Sequence, residues 1–423
     1  MYWLIEDNSQ FDILLNSGYK TAFIEIIPSS HTVHPTLNRV SLVYIRPIDA
    51  SKGFMLGVTH NETLNVLNTR IYELINKFEI LYCRDKKETL HYFPCKALYD
   101  ITPPPNTYIR PTTKAHEVLY NKYKDEPNVN EFIPVVKHYE ICENIFLELK
   151  PNINKIGKYE KFFNNKVSLV FNALERVGIS IHKDKFRTHF YDEREPKVYT
   201  QYNLKTTTTR PSNTYQGINY AALNRKNNSR ESFIPSNDIF HELDISAFHP
   251  TLCCSLIDYR FSDMVDIHTH LSELYKVDYQ KSKELTFKQL YGGVFKQYKD
   301  IEFFKRIDEY VKNLWDEFNT KGFITCPISS YVFEKEKLDN MRPQKLFNYL
   351  LQCLETSTNV LILWDILKIL RGKNTKLVLY VYDSFLLDVD ESEIDVVEEV
   401  KKVFTKYKLN TKEKMGKNYN DLV

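Results

Sequence analysis

A chain of 423 residues with 43% hydrophobic and 26% charged residues has a globular composition and room for two or three domains, which excludes a disordered chain. No run approaches the ~20 apolar residues of a spanning helix. The opening Met1-Tyr-Trp-Leu-Ile-Glu-Asp7 lacks the basic and then apolar pattern of a secretory leader, so a cytoplasmic chain without a membrane partner is expected. The net charge of +2 does not announce nucleic acid, and the seven cysteines, with no Cys-x-x-Cys pair, argue against a disulfide framework or a zinc site.

In chain order, apolar and β-branched runs predict strands over 22–27, 39–46 and 54–58. Helical spacing follows over 64–78, then a strand at 80–83, a short helix over 86–92 and a strand at 97–101. This β-β-β-α-β-α-β order predicts a small α/β domain with a mixed sheet, closed by the proline cluster at 103–105 and assigned to residues 1–135. The rest, 136–423, forms a second body. A helix over 159–177 carries Phe162, Phe163, Val167, Val170, Phe171 and Leu174 on one face and ends at Gly178. After a polar stretch at 206–213 come a strand–turn–helix over 239–258, mostly helix over 264–320 and a hairpin at 323–333. A long helix over 343–371, a strand–turn–strand over 376–390 and a helix over 391–407 complete the pattern.

Four segments carry candidate chemistry. Asp244 closes the strand of Phe240-His-Glu-Leu-Asp-Ile-Ser-Ala-Phe-His-Pro250, with Pro250 suited to the first turn of the next helix. Asp383-Ser384 falls at the tip between two apolar strands. Alone, the first is an ordinary helix cap and the second an ordinary turn. Together, two carboxylates at strand ends of one sheet can share two divalent ions about 4 Å apart, as phosphoryl transfer to a hydroxyl requires; hard oxygen ligands favour Mg²⁺. Lys283, Phe287 and Tyr291 recur every four residues, placing a cation and two rings on one helix face, a surface suited to a nucleotide. Asn348 and Gln352 share a helix face and suit the hydrogen-bond acceptors of a minor groove.

In order and spacing, over about residues 155–423, these segments resemble the family A (DNA polymerase I-like) DNA polymerases, in the compact form of phage enzymes. Asp244-Ile-Ser-Ala-Phe-His249 is similar to motif A, Lys283-x-x-x-Phe287-x-x-x-Tyr291-Gly292 to motif B, and Tyr382-Asp383-Ser384 to motif C. Asn348-x-x-x-Gln352 resembles the helix that tracks the minor groove. Thr209-Arg210-Pro-Ser-Asn213 with Gly217-Ile218-Asn219-Tyr-Ala-Ala-Leu-Asn224 resembles the primer-contacting segment, and Gly416-Lys-Asn-Tyr419 the family's C-terminus.

The resemblance implies an α/β (α+β) right hand, preceded by an RNase H-like exonuclease-type α/β domain. Its thumb spans about 155–205, its palm 206–260 and 340–423, and its fingers 261–339. It implies a DNA-templated DNA polymerase, expected to be monomeric, that takes primed template DNA and deoxynucleoside triphosphates, with a setting in phage or mobile-element replication. Asp244, Asp383 and the Ile245 carbonyl would hold two Mg²⁺ ions, with Mn²⁺ able to substitute. Lys283 would neutralise the triphosphate and protonate the leaving pyrophosphate. Ser246, His249, Phe287 and Tyr291 would meet the nucleotide, Phe287 discriminating against dideoxynucleotides. Arg210, Asn213, Asn219, Asn224, Arg230, Asn348, Gln352 and Ser384 would meet DNA, with Arg225 and Lys226 as further duplex contacts. Two alternatives stand beside this reading: RNA or mixed-nucleotide synthesis on the same palm, and a non-catalytic module that binds primed DNA.

Departures from the family pattern are specific. His249 stands where glutamate excludes the ribose 2′-hydroxyl, and Ser384 where glutamate follows the second aspartate. Tyr279 replaces an arginine one turn before Lys283, with Lys276 or Lys281 as substitutes, and Gln344 replaces another arginine. In the first domain, Glu25-Ile-Ile27 supplies one acid where Asp-x-Glu is usual; Asp85 and Asp100 are further candidates, and Tyr120 is followed by Lys124 before Asp125. A degenerate domain that holds DNA or braces the palm, without exonuclease activity, is therefore expected.

Overall fold

The computed structural model describes residues 3–95, 97–102, 121–190, 196–213, 218–261 and 266–422. The proline cluster, Tyr120 and Gly217 lie outside them. The chain divides into two compact units, Met1–Arg176 with Tyr215–Gly217, and Val177–Thr214 with Ile218–Val423.

The first unit holds β1 (Trp3–Ile5), α1 (Asn8–Leu15), β2 (Thr21–Pro28), β3 (Val40–Pro47), β4 (Phe54–Gly57), α2 (Asn68–Lys77), β5 (Ile80–Cys83), α3 (Lys86–Tyr92) and β6 (Leu98–Asp100). After them come α4 (Val135–Leu149), α5 (Lys158–Phe162) and α6 (Ser168–Glu175). The expected order appears, with β1 and α1 added in front. The strands form one mixed sheet in the order β1-β4-β3-β2-β5-β6. Both faces are buried, so β2 and β3 read as largely apolar runs, interrupted by Glu25 in β2 and by Ser41 and Arg46 in β3. Ala22, Ile24 and Ile26 pack with α1, α2 and α3, while Phe23 and Ile27 pack with Ile145 and Phe146 of α4. The helix expected over 159–177 is α5 and α6 joined by a π-helical turn at Phe163–Val167, and it ends where Gly178 adopts φ +70.

The second unit begins with β7 (Ile179–Ile181), α7 (Lys183–Phe190), β8 (Lys197–Val198), β9 (Tyr202–Asn203), β10 (Ser212–Asn213) and β11 (Phe233–Ile234). Its centre is an antiparallel sheet ordered β15-β16-β12-β17, built from β12 (Ile239–Ile245), β15 (Lys376–Val381), β16 (Ser384–Val389) and β17 (Thr411–Gly416). The stretch expected as mostly helix over 264–320 is three helices that follow α8 (Phe248–Leu256): α9 (Ile267–Tyr275), α10 (Tyr279–Gly292) and α11 (Glu302–Lys321). Lys276 breaks the first pair by turning left-handed, and Gly293 at φ +103 ends α10. Asp266 and Asp278 cap α9 and α10 through their side chains. The hairpin is β13 (Phe323–Thr325) and β14 (Val332–Glu334). The long α12 (Pro343–Ile369) packs against α8, α10, α11 and α13 (Ile394–Lys406). Phe240, Val378, Leu379 and Leu386 of the sheet share a core with Phe233 and Tyr419. Among the described residues no helix is long and apolar enough to cross a membrane.

Candidate active site

Asp244 and Asp383 are 139 positions apart in sequence and meet at one end of the central sheet. β12 pairs antiparallel with β16 so that Asp244 lies opposite Ser384, and the Ile245 N–H donates to the Asp383 carbonyl at 2.9 Å. Each acid sits beside a left-handed residue. Ala247, at φ 47, turns the chain from β12 into α8, and Tyr382, at φ 58, opens the two-residue turn that carries Asp383. Left-handed backbone is uncommon for non-glycine residues and collects at functional sites, where the surroundings hold it in place. Here α12 holds the turn: the Asn359 side-chain amide donates to the Tyr382 carbonyl at 2.7 Å and the Tyr380 hydroxyl at 2.9 Å.

Burial, then Asp383 and Glu242, push the Asp244 carboxyl up from 3.8 to about 6, against the pull of Lys414 and Lys283. Asp383 is raised by burial and by Glu355, although its side chain reaches solvent at the tip of the turn. Asp383 thus lies close enough to Asp244 to disfavour its charge. That donor set fits a hard divalent ion, which would relieve the repulsion. Among the described residues no three His, Cys, Asp or Glu side chains gather as a group that could hold a metal ion.

The three residues of α10 fall as their spacing predicts. Lys283 is exposed and acts electrostatically on Asp244, and Phe287 and Tyr291 stack with centroids 5.7 Å apart and planes 18° from parallel. His249 lies inside α8 rather than capping it, and its ring bridges two elements. Nδ1 is 2.7 Å from the Tyr291 hydroxyl and Nε2 is 2.5 Å from Glu355 of α12. Glu355 also accepts from Arg210 Nε at 3.0 Å, and the Arg210 guanidinium lies 3.7 Å from the Tyr382 ring centroid. One carboxylate thereby ties the Tyr291 ring, through His249, to the turn bearing Asp383.

The other predicted residues are more dispersed. Ser384 donates to Glu242 at 2.7 Å, and Ser246 donates its N–H to the Asn410 carbonyl at 2.8 Å. Gln352 accepts from Thr208, and Asn348 sits half-buried one turn earlier on α12. The Asn213 amide nitrogen is buried with no partner among the described residues. Asn224 caps a short 3₁₀ turn, and Arg230 lies over the Tyr419 ring while donating to the Leu223 carbonyl. Asn219, before another 3₁₀ turn, and the exposed Arg225 and Lys226 complete that loop. Of the two expected substitutes for a cation at Tyr279, Lys281 pairs with Glu284 and Lys276 ends α9. The cation actually at Tyr279 is Lys412 of β17, whose Nζ is 3.1 Å from the hydroxyl. Sequence reasoning missed Glu355, Asn359 and Lys412. The first two had a signal: 348, 352, 355 and 359 form one polar stripe on an otherwise apolar helix.

In the first unit, Glu25 on β2, Asp85 after β5 and Asp100 at the end of β6 also come together, as their mutual electrostatics record. Arg84 occupies the cluster, donating to Glu25 through Nε at 2.8 Å and Nη2 at 2.5 Å. Burial raises the Glu25 carboxyl while Arg84 opposes the rise. Asp85 caps α3, and Asp100 accepts the Lys86 and Thr102 N–H groups. Glu88, which the sequence did not suggest, joins the cluster and is raised by burial and by Asp85. Lys124 and Asp125 are exposed.

No family model matches the chain, and no curated protein matches it. Among solved structures it resembles the POL domain of Pol1 from M. smegmatis, determined in complex with DNA primer-template and dNTP. The TM-score is 0.74 with full coverage of both chains at 11% identity. The fold is therefore a mixed α/β right-hand polymerase fold.

Proposed function

We propose that the chain is a family A-like DNA-templated DNA polymerase that extends a primer 3′ end by two-metal phosphoryl transfer. The observation that carries this reading is the meeting of Asp244, at the end of β12, with Asp383, in the turn before β16, where Asp383 helps to raise the Asp244 carboxyl. The likeness to a polymerase domain solved with primer-template and dNTP supports it.

In this reading the primer 3′-oxygen bonds to the α-phosphorus as the bridging P–O bond to the β-phosphate breaks, releasing pyrophosphate. Asp244 and Asp383, with the Ile245 carbonyl, would hold two Mg²⁺ ions. When bound, those ions would acidify the attacking hydroxyl and steady the leaving group. Lys283 meets the triphosphate and hands a proton to the departing pyrophosphate. The stacked Phe287 and Tyr291 offer rings to sugar and base. His249, fixed at both nitrogens, is a bulky and immobile wall beside Tyr291, which favours deoxynucleotides over ribonucleotides. Arg84 fills the acidic cluster of the first unit, which favours a domain without exonuclease activity.

Extension of one primed template with separate dNTP and NTP mixes tests the reading. Product should appear with dNTPs and Mg²⁺, not with NTPs, and vanish in Asp383→Asn. Preference for NTPs would replace DNA synthesis with RNA synthesis. Extension that survives Asp383→Asn would end the two-metal reading.

A further inference from the structure

Lys412 stands directly across from Asp244 in the antiparallel pairing of β17 with β12. Such partners rise from the same face of a sheet, with Cβ atoms about 4.5–5.5 Å apart. Lysines on an edge strand ordinarily guard it against pairing with another chain, which accounts for Lys412 and Lys414 alike. Lys412 does something more. Its ammonium donates to the Tyr279 hydroxyl at 3.1 Å and lies 5.4 Å from that ring's centroid. Tyr279 precedes Lys283 by four residues on α10, so the ring and Lys283 share one helix face. One ammonium from the sheet and one from the helix therefore converge on Asp244, which registers electrostatically with both.

Among the described residues Lys414, which also pulls on Asp244 from β17, takes part in no ion pair, whereas Lys281 pairs with Glu284, Lys401 with Glu413 and Lys406 with Asp365. Among the described residues Lys283 and Lys412 take part in no ion pair. Close to both lies His268, 2% exposed and packed against Tyr279 and Phe287, with neither ring nitrogen partnered among the described residues. Among the described residues the acids that act on Lys412 are Asp266, whose carboxylate caps α9, and Asp244. The corner thus has spare donors and positive charge, and its acids are already committed to a helix cap and to the candidate metal pair.

We propose that Lys412 is a second triphosphate-binding cation, steered by Tyr279 so that it and Lys283 grip one nucleotide polyphosphate from two sides. This rests on the polymerase reading and adds to it a binding residue from the last strand of the sheet.

The test is steady-state primer extension by wild type, Lys412→Ala, Lys412→Arg and Tyr279→Phe, with pyrophosphate inhibition measured in parallel. Lys412→Ala should raise the KM for dNTP and weaken pyrophosphate inhibition by about ten-fold each, the scale of one charge-assisted hydrogen bond. Its kcat and its affinity for primer-template should stay near wild type. Lys412→Arg should recover most of the loss, and Tyr279→Phe, which keeps the ammonium, should lose less. An unchanged KM in Lys412→Ala, or an equal loss in Tyr279→Phe, would show that Lys412 merely braces the ring and would overturn the proposal. If wild type extends no primer, the polymerase reading fails on its own, and titration with tripolyphosphate and Mg²⁺ decides about Lys412. Ten-fold weaker binding by Lys412→Ala upholds the site; equal binding, or none by either protein, overturns it.

Discussion

Asp244 and Asp383 in the second unit, and Glu25, Asp85 and Asp100 in the first, are both acidic sets gathered at strand ends, yet they are answered differently. In the first unit Arg84 sits within the cluster with its guanidinium on Glu25, and the backbone N–H groups of α3 and Thr102 take up much of the rest. In the second, the lysines around Asp244 act from a distance and leave its carboxyl at about 6. Strain divides the same way. All nine non-glycine residues with positive φ among the described residues belong to the second unit, two of them beside its acids. A cluster satisfied from within is a structural joint; a repelling pair held by strained turns is prepared for a ligand that arrives later.

The largest expected effect comes from removing one acid of the unsatisfied pair. Asp383→Ala should slow primer extension by about a thousand-fold or more, because metal stabilisation of transition-state charge is worth several kcal/mol. Its folding midpoint in urea should barely move. Glu25→Ala should do the reverse. Breaking a buried ion pair costs about 3–5 kcal/mol, read as a lower urea midpoint, while extension per folded molecule stays within about two-fold. Metal-free nuclease activity aside, a Glu25→Ala protein as stable as wild type would erase the contrast between the two clusters.

A third experiment sharpens the comparison through pH. A carboxyl whose folded pKa is raised favours its protonated form. The contribution of Asp244 to stability is therefore complete below the ordinary 3.8 and lost as pH rises through about 6. Mg²⁺ should then raise the Tm by on the order of 2–4 °C at pH 7.5 and by much less at pH 5. Asp244→Asn should abolish the increment and Glu25→Gln should keep it. The smallest effect concerns strain: Ala247→Gly should stabilise the fold by about 0.5–1 kcal/mol, since glycine takes the left-handed turn without penalty. A loss of stability there would show that Ala247 is not strained.

What the sequence revealed follows from where water is excluded. Strands β2 to β5 are legible because both faces of their sheet are buried and leave apolar runs. β12 and β16 were legible for the same reason, and with them the two acids at their ends. β17 was not. Thr411-Lys-Glu-Lys-Met-Gly416 is an edge strand with charge on both faces, so it carries no apolar period to mark it, and Lys412 was hidden with it. β1 is three residues long and gives too short a pattern. Glu355 was overlooked because it lies in the buried stretch of α12, where an acid is explained only by partners, His249 and Arg210, from distant segments.

The position of β12 in its sheet bears on how the chain is made. Its two partners are translated 140 and 168 residues after Asp244, so on the ribosome this strand waits with both edges bare. Closing such long loops is slow. During that interval the strand that bears half of the acid pair is also the segment most exposed to pairing with another nascent copy. Expression at lower temperature, or with a chaperone that shields open strand edges, should therefore raise the soluble yield more than any change at the surface of the finished fold.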